Sequence, residues 1–193
     1  MNIINVGYQS TNYYAIDIKG GKLLVDCGWP GTLPQFSKEL KRKGNSIQDI
    51  KYLLVTHFHP DHAGMTQELK KLGAKHILLD VQADFVPQMT EFFKTKNHPY
   101  IPISTNDSIN LQVGESRKFL AEINLQGEII HTPGHSDDSV TLILDEGFAF
   151  TGDLQPAFML AEDDLISRTS WDKIHEHRIK TLYPGHGNNQ EKS

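Results

Sequence analysis

Leu53-Leu54-Val55-Thr56-His57-Phe58-His59-Pro60-Asp61-His62-Ala63-Gly64 is an apolar run that ends in three imidazoles and a carboxylate. The apolar half reads as a strand. In an extended chain residues two apart share a face, so His57, His59 and Asp61 are expected to converge, while His62 opens a turn into the next helix. Pro60 holds His59 out of the α region. Neutral imidazoles with a carboxylate suit zinc first, and iron, cobalt or manganese accept the same donors. For one histidine a solvated loop would be the better reading. Here Ile129-Ile130-His131-Thr132-Pro133-Gly134-His135-Ser136, Phe150-Thr151-Gly152-Asp153 and Leu182-Tyr183-Pro184-Gly185-His186-Gly187 each place a His or Asp after a further apolar strand. Glycine and proline at these exits permit turns that re-aim a side chain. Seven candidate ligands result, His57, His59, Asp61, His62, His135, Asp153 and His186, enough for two ions.

Outward from these segments, short β-like runs occur at 1–6, 13–17, 22–25, 52–55, 75–79, 128–131, 140–144, 148–151 and 181–183. Helical spacing links Leu33, Phe36 and Leu40, then Met65, Leu69 and Leu72, then Val86, Met89 and Phe93, and finally Trp171, Ile174 and Arg178. Strand clusters alternating with helices predict helices packed outside two sheets. A length of 193 residues with 38% hydrophobic and 22% charged composition fits one domain over 1–193. The net charge of -5 and the lack of a basic stripe exclude a nucleic-acid footprint, and no apolar run is long enough to span a bilayer. The start of the chain does not read as a secretion signal, so a cytoplasmic location and a small-molecule substrate are expected. Cys27, the single cysteine, lies in the apolar stretch LLVDCG and reads as a buried small residue.

The motif order Val25-Asp26-Cys27-Gly28, His57 to His62, His135, Asp153, His186 resembles the metallo-β-lactamase superfamily over nearly the whole chain. The resemblance implies a four-layer αβ/βα sandwich, an α/β (α+β) fold, with metals between the sheets. It further implies that His57, His59 and His135 hold one ion, that Asp61, His62 and His186 hold the second, and that Asp153 bridges them. Asp26 is then a carboxylate that orients a ligand, or else a strand-end turn residue. His131 could orient a ligand, or pack in the core. His76, His98, His175 and His177 read as surface or packing residues.

Two zinc-type ions lower the pKa of bound water toward about 7, so that hydroxide serves as the nucleophile and no Ser or Cys is needed. Asp61, besides ligating, is the residue expected to orient that hydroxide. True β-lactamases of the family do not use a bridging carboxylate at the position of Asp153. The ligand set is more similar to the glyoxalase II-like hydrolases, which cleave thioesters such as hydroxyacylglutathiones, although their C-terminal helical extension with its basic contacts is not expected here. Lactonases share all seven ligands. A non-haem iron persulfide dioxygenase is an alternative of another class, against which the presence of both His62 and His186 weighs. A non-catalytic relative is the other alternative, and such relatives typically lose ligands. Phe92, Phe93, Tyr100, Phe158 and Met159 are candidates for the pocket wall.

Overall fold

In the computed structural model, which describes residues 1–191, the chain folds into two sheets packed face to face with helices outside. The first sheet runs in the order β1 (Ile3–Asn5), β2 (Tyr14–Ile18), β3 (Gly21–Val25), β4 (Ile50–Leu54), β5 (Lys75–Leu79), β6 (Ile109–Leu111). Its first pairings are antiparallel and those from β3 to β6 are parallel. The second sheet has the order β11 (Gln190–Glu191), β10 (Thr181–Pro184), β9 (Phe148–Gly152), β8 (Val140–Leu144), β7 (Gly127–His131). Here β9 and β10 are parallel and the remaining pairs antiparallel, so β7, β9 and β10 run in one direction.

Period-two alternation explains the layering. Leu23, Val25, Leu54, Ile77 and Leu79 point inward and meet Leu142, Leu144 and Phe150 of the second sheet. Leu24, Leu53 and Leu78 point the other way, onto a second core with Phe36 and Leu40 of α1 (Leu33–Arg42), Leu69 of α3 (Thr66–Lys71) and Met89 of α4 (Val86–Phe93). Across the molecule Ile143, Ala149 and Leu182 pack on Trp171 and Ile174 of α6 (Leu165–His175). Helix, sheet, sheet, helix is the order of layers that the sequence predicts.

Some elements depart from expectation. Helix α6 stops at His175, short of Arg178, and Leu72 lies one residue past α3, exposed. Strands β6 and β11 and helix α5 (Ser116–Glu122) were not expected. They are short, and α5 buries only Ser116 and Leu120, too little to show a period.

Candidate metal centre

The candidate ligands leave the carboxyl ends of four strands. Beyond β4 the chain bends at Thr56 and His57, makes a tight turn about Phe58 in which His59 N donates to the His57 carbonyl at 3.0 Å, and then enters the short helix α2 (Pro60–Ala63), with Pro60 in its first turn. Asp61 and His62 therefore sit on a helical turn, and His57 and His59 meet through the turn about Phe58, so the expected convergence along one strand face does not hold. Donor atoms gather into three overlapping groups, each within 4.8 Å: His57, His59 and His135; His57, His62 and Asp153; Asp61, His62 and His186.

The carboxylate of Asp153 is central to this cluster. Its Oδ2 lies 4.0, 3.7 and 3.2 Å from Nε2 of His57, His135 and His186, and its Oδ1 lies 3.2 Å from His62 Nε2. Asp61 Oδ2 is 3.5 Å from His62 Nε2 and 3.3 Å from His186 Nε2. Donors placed about 2.0–2.1 Å from a tetrahedral ion are about 3.4 Å apart, so these spacings suit shared metal coordination. Three buried polar atoms here, His57 Nε2, His62 Nε2 and Asp153 Oδ1, have no hydrogen-bond partner. Such atoms are costly unless something satisfies them, and one or more cations would.

Hydrogen bonds on the far ring nitrogens set the tautomers. His62 Nδ1 donates to Asp26 Oδ2 at 2.8 Å and His186 Nδ1 donates to the Ser10 carbonyl at 2.7 Å. Thr56 donates its hydroxyl to Asp26 Oδ2, so at 3.1 Å the hydroxyl oxygen accepts from His57 Nδ1. In all three rings the Nε2 lone pair is left for the cluster, an arrangement typical of metal-bound histidine. His59 differs, presenting Nδ1, which lies 3.0 Å from His135 Nε2.

Electrostatics follow the same geometry. Burial, then the neighbouring imidazoles, hold His57 well below the ordinary histidine range. Burial also opposes charge on His62, but Asp26 and Asp153 outweigh it and raise the group to about 10. Burial lowers His135, with His59 and His62 adding to the effect against Asp153. Although burial opposes its charge, Asp153 is lowered by the adjacent His62 and by the His186 and His135 imidazoles. Without a cation the cluster thus favours a proton on His62 and charge on Asp153 while disfavouring charge on His57 and His135, and a dication that displaced the His62 proton would suit this donor set.

Residues beyond the candidate ligands hold this arrangement, Asp26 as expected and others that the sequence did not mark. Asp26 is buried with φ 63 and accepts from Thr56 N at 2.7 Å as well as from His62, so it is both the strand-end turn residue and the partner of a candidate ligand. Asp138 accepts from Phe58 N at 2.7 Å, and Gln82 Nε2 donates to the Val55 carbonyl at 2.9 Å. Thr11 Oγ1 donates to Asp61 Oδ2 at 3.0 Å. A Cβ on Gly185 would stand 2.4 Å from Asp153 Oδ1 and 2.7 Å from His62 Cε1, so only glycine lets this turn approach the cluster. Of these, Asp138 could have been suspected as a carboxylate just before the apolar strand β8.

The chain belongs to the metallo-beta-lactamase superfamily. Residues 6–186 match that family as a whole. A probable metallo-hydrolase of Methanocaldococcus jannaschii is 30% identical over 94% of this chain and 89% of its own length. A beta-lactamase-like protein 2 homolog of Drosophila melanogaster is 29% identical over 93% of the chain, which spans 59% of that relative. An atrochrysone carboxyl ACP thioesterase of Claviceps purpurea is 28% identical, and the chain spans 52% of it. Among solved structures, a metallo-beta-lactamase family protein of Thermus thermophilus shares the fold with a TM-score of 0.73 at 22% identity, covering 98% of this chain and 73% of that one.

The other sequence expectations sort clearly. Cys27 is buried beside Thr66, and burial pushes its thiol up to about 12, so it is no nucleophile. His131 Nε2 meets the Asp137 carbonyl at 2.7 Å and braces the loop that carries His135. His76 is buried against Ser108, His98 lies against Trp29, and His175 and His177 lie away from the cluster. The five proposed wall residues separate. Phe92 and Met159 line clefts beside the cluster. Phe93 and Tyr100 instead stack on one another at 4.5 Å against the core, because Val86, Met89 and Phe93 share the buried face of α4. Phe158 is 83% exposed and lines neither cleft, since its single helical turn has no buried side. No helix among the described residues is long and apolar enough to cross a membrane.

Proposed function

We propose that this metallo-hydrolase holds two zinc-type ions and cleaves a thioester of a small molecule. The observation that carries the reading is the convergence of His57 Nε2, His62 Nε2 and Asp153 Oδ1, buried and unpartnered, among four further donors. His57, His59 and His135 would hold one ion, and Asp61, His62 and His186 the other. Asp153, within reach of both groups, would lie between them and offset their repulsion. When bound, the ions supply activated water at neutral pH and polarise the scissile carbonyl.

The chain's own residues do the rest. Asp61, fixed by the Thr11 hydroxyl, is placed to accept a hydrogen bond from the attacking water and hold it in line. Asp26 and the Ser10 carbonyl keep His62 and His186 in the ligating tautomer. The thioester preference is supported by the thioesterase among the relatives and by the carboxylate at Asp153.

Elemental analysis of the purified protein, with a hydrolysis screen over thioesters, lactones, phosphodiesters and a chromogenic cephalosporin, tests the reading. Two ions per chain, chelator-sensitive activity and a preference for thioesters are expected. One bound iron with an iron absorption band and no hydrolysis would overturn it in favour of oxidoreductase chemistry.

A further inference from the structure

Two clefts flank the cluster. One, of about 400 Å³, is walled by Trp29, Phe58, Gln88, Met89 and Phe92 and opens on His59 and Asp61. The other, of about 290 Å³, is walled by Leu154, Gln155, Met159, Trp171 and Gln190 and opens on His135, Asp153 and His186. A bond held at the cluster would send one arm of the substrate into each.

Neither cleft has a lysine or arginine among the described residues that line it. Apart from the candidate ligands and backbone, its polar groups are neutral: Gln88 on one side, Thr151, Gln155 and Gln190 on the other. Two described cations near the clefts have other partners. Lys96 Nζ stands 5.0 Å from the centroid of the Phe92 ring without lining the cleft, and Arg168 donates to the Leu160 and Ala161 carbonyls. A carboxylate or phosphate moved into either cleft would lose its hydration with no lysine or arginine among the described lining residues to replace it. An apolar arm gains instead, by roughly 25 cal/mol for each Å² removed from water.

We infer that the substrate is uncharged on both sides of the scissile bond, an apolar or aromatic acyl group joined to a neutral thiol, and not a thiol peptide bearing carboxylates. This rests on the thioester hydrolase reading and narrows it. Bound ions would give the cluster a positive charge that attracts an anion, but an anion seated on them would occupy the place of the reacting group and would not fill a cleft.

The test uses the metal-loaded full chain and three thioesters. S-phenylacetyl-N-acetylcysteamine is neutral on both arms. One analogue carries a para-sulfonate on its phenyl ring, and the other replaces the thiol with 2-mercaptoethanesulfonate. Sulfonate is a weak ligand for zinc-type ions, so it reports on the clefts. Each sulfonate is expected to lower kcat/KM by about tenfold or more. Gln88→Lys should raise the anionic-to-neutral ratio about tenfold for one analogue and Gln155→Lys for the other, which also assigns the arms.

Binding gives a second readout, because the chain has two tryptophans and each lines one cleft. In Trp171→Phe and Trp29→Phe the remaining indole reports filling of its own cleft by the unreactive thioether of each compound. The neutral thioether should perturb emission at about tenfold lower concentration than its sulfonated counterparts. Equal turnover and equal binding of neutral and sulfonated compounds would overturn the inference while leaving a thioesterase standing. If no thioester is hydrolysed, the thioester reading falls, and the fluorescence comparison still decides the chemistry of the clefts.

Discussion

The cluster has a buried half and an open half held in different ways, and His59 and Asp61 fall in the open half although they follow β4 with His57 and His62. His57 and His62, which follow β4, are 0% exposed, whereas the side chains of His135 and His186, which follow β7 and β10, are 32% and 40% exposed. The buried half is braced by side chains: Asp26 ties Thr56 to His62, and Asp138 and Gln82 hold the backbone between them. The open half is set by backbone. Gly134, Gly152 and Gly185 shape its turns, and the Ser10–Thr11 segment closes on His186. Buried rings with satisfied partners are preorganised for a metal, while exposed rings on turns leave room for a substrate. If so, damage to the buried half should cost metal affinity, and damage to the open half should cost turnover first.

Asp153 belongs to both halves, so its loss should have the largest effect. Asp153→Ala removes the charge that offsets repulsion between two dications, yet His57, His59 and His135 remain. About one tight ion per chain should be retained, with turnover down about 100-fold or more, and Asp153→Asn should be nearly as poor. Zinc calorimetry with kinetics on the best thioester checks this. Two equally tight ions and normal turnover in Asp153→Ala would break the comparison at its centre.

Asp26→Asn probes the buried half alone. Asparagine tolerates the positive φ of 63 that Asp26 adopts, so the turn survives while the charge behind His62 is lost. Zinc affinity should fall about 10–100-fold, in the sites that include His62 more than in the group of His57, His59 and His135. Competition with a chromogenic chelator measures it. In the open half, Thr11→Val keeps the shape of the side chain and removes the hydrogen bond to Asp61. Metal content should be unchanged and kcat reduced about fivefold, the worth of a single hydrogen bond. A loss of metal in place of rate would show that the two halves do not divide their labour.

This division was only half legible in the sequence. Every candidate ligand is a His or Asp standing just after an apolar run, and strand exits with Gly or Pro are local signals. The layered fold was legible for the same reason, since buried strands and amphipathic helices write their faces into neighbouring residues. Thr56, Gln82 and Thr11 carry no such mark, and Asp138 stands before an apolar strand instead of after one. Apart from the contact of Thr56 with the adjacent His57, their partners lie 26 to 80 residues away and are met only when the chain is folded, as with Asp26 and Thr56 or Phe58 and Asp138. The pocket wall failed in part because the helical face of Phe93 is the core, which turns its neighbour Phe92 outward.

The smallest effect concerns the support behind the buried half. His76 is 0% exposed, its ring stands edge-on to Phe58 at 6.0 Å, and its Nδ1 meets Ser108 Oγ at 3.0 Å. Burial first, and the Lys70 ammonium second, depress this imidazole from 6.5 to about 3. The group is thus neutral when folded and takes a proton when unfolded at mildly acid pH. Its contribution to stability is fully present above the unfolded value of 6.5 and is lost as pH falls from there toward 3. In that window the metal-free protein should lose about 1 kcal/mol per pH unit through this residue. Other buried histidines add their own terms, so the informative quantity is a difference. His76→Gln stays neutral throughout and can still reach Ser108. Between pH 7 and pH 5.5, denaturant unfolding of the parent should therefore lose about 1 kcal/mol more than that of the variant, with little change in turnover at pH 7. Parallel pH dependences would mean that His76 takes up its proton in place, and that the wall behind Phe58 is more accessible to water than its packing indicates.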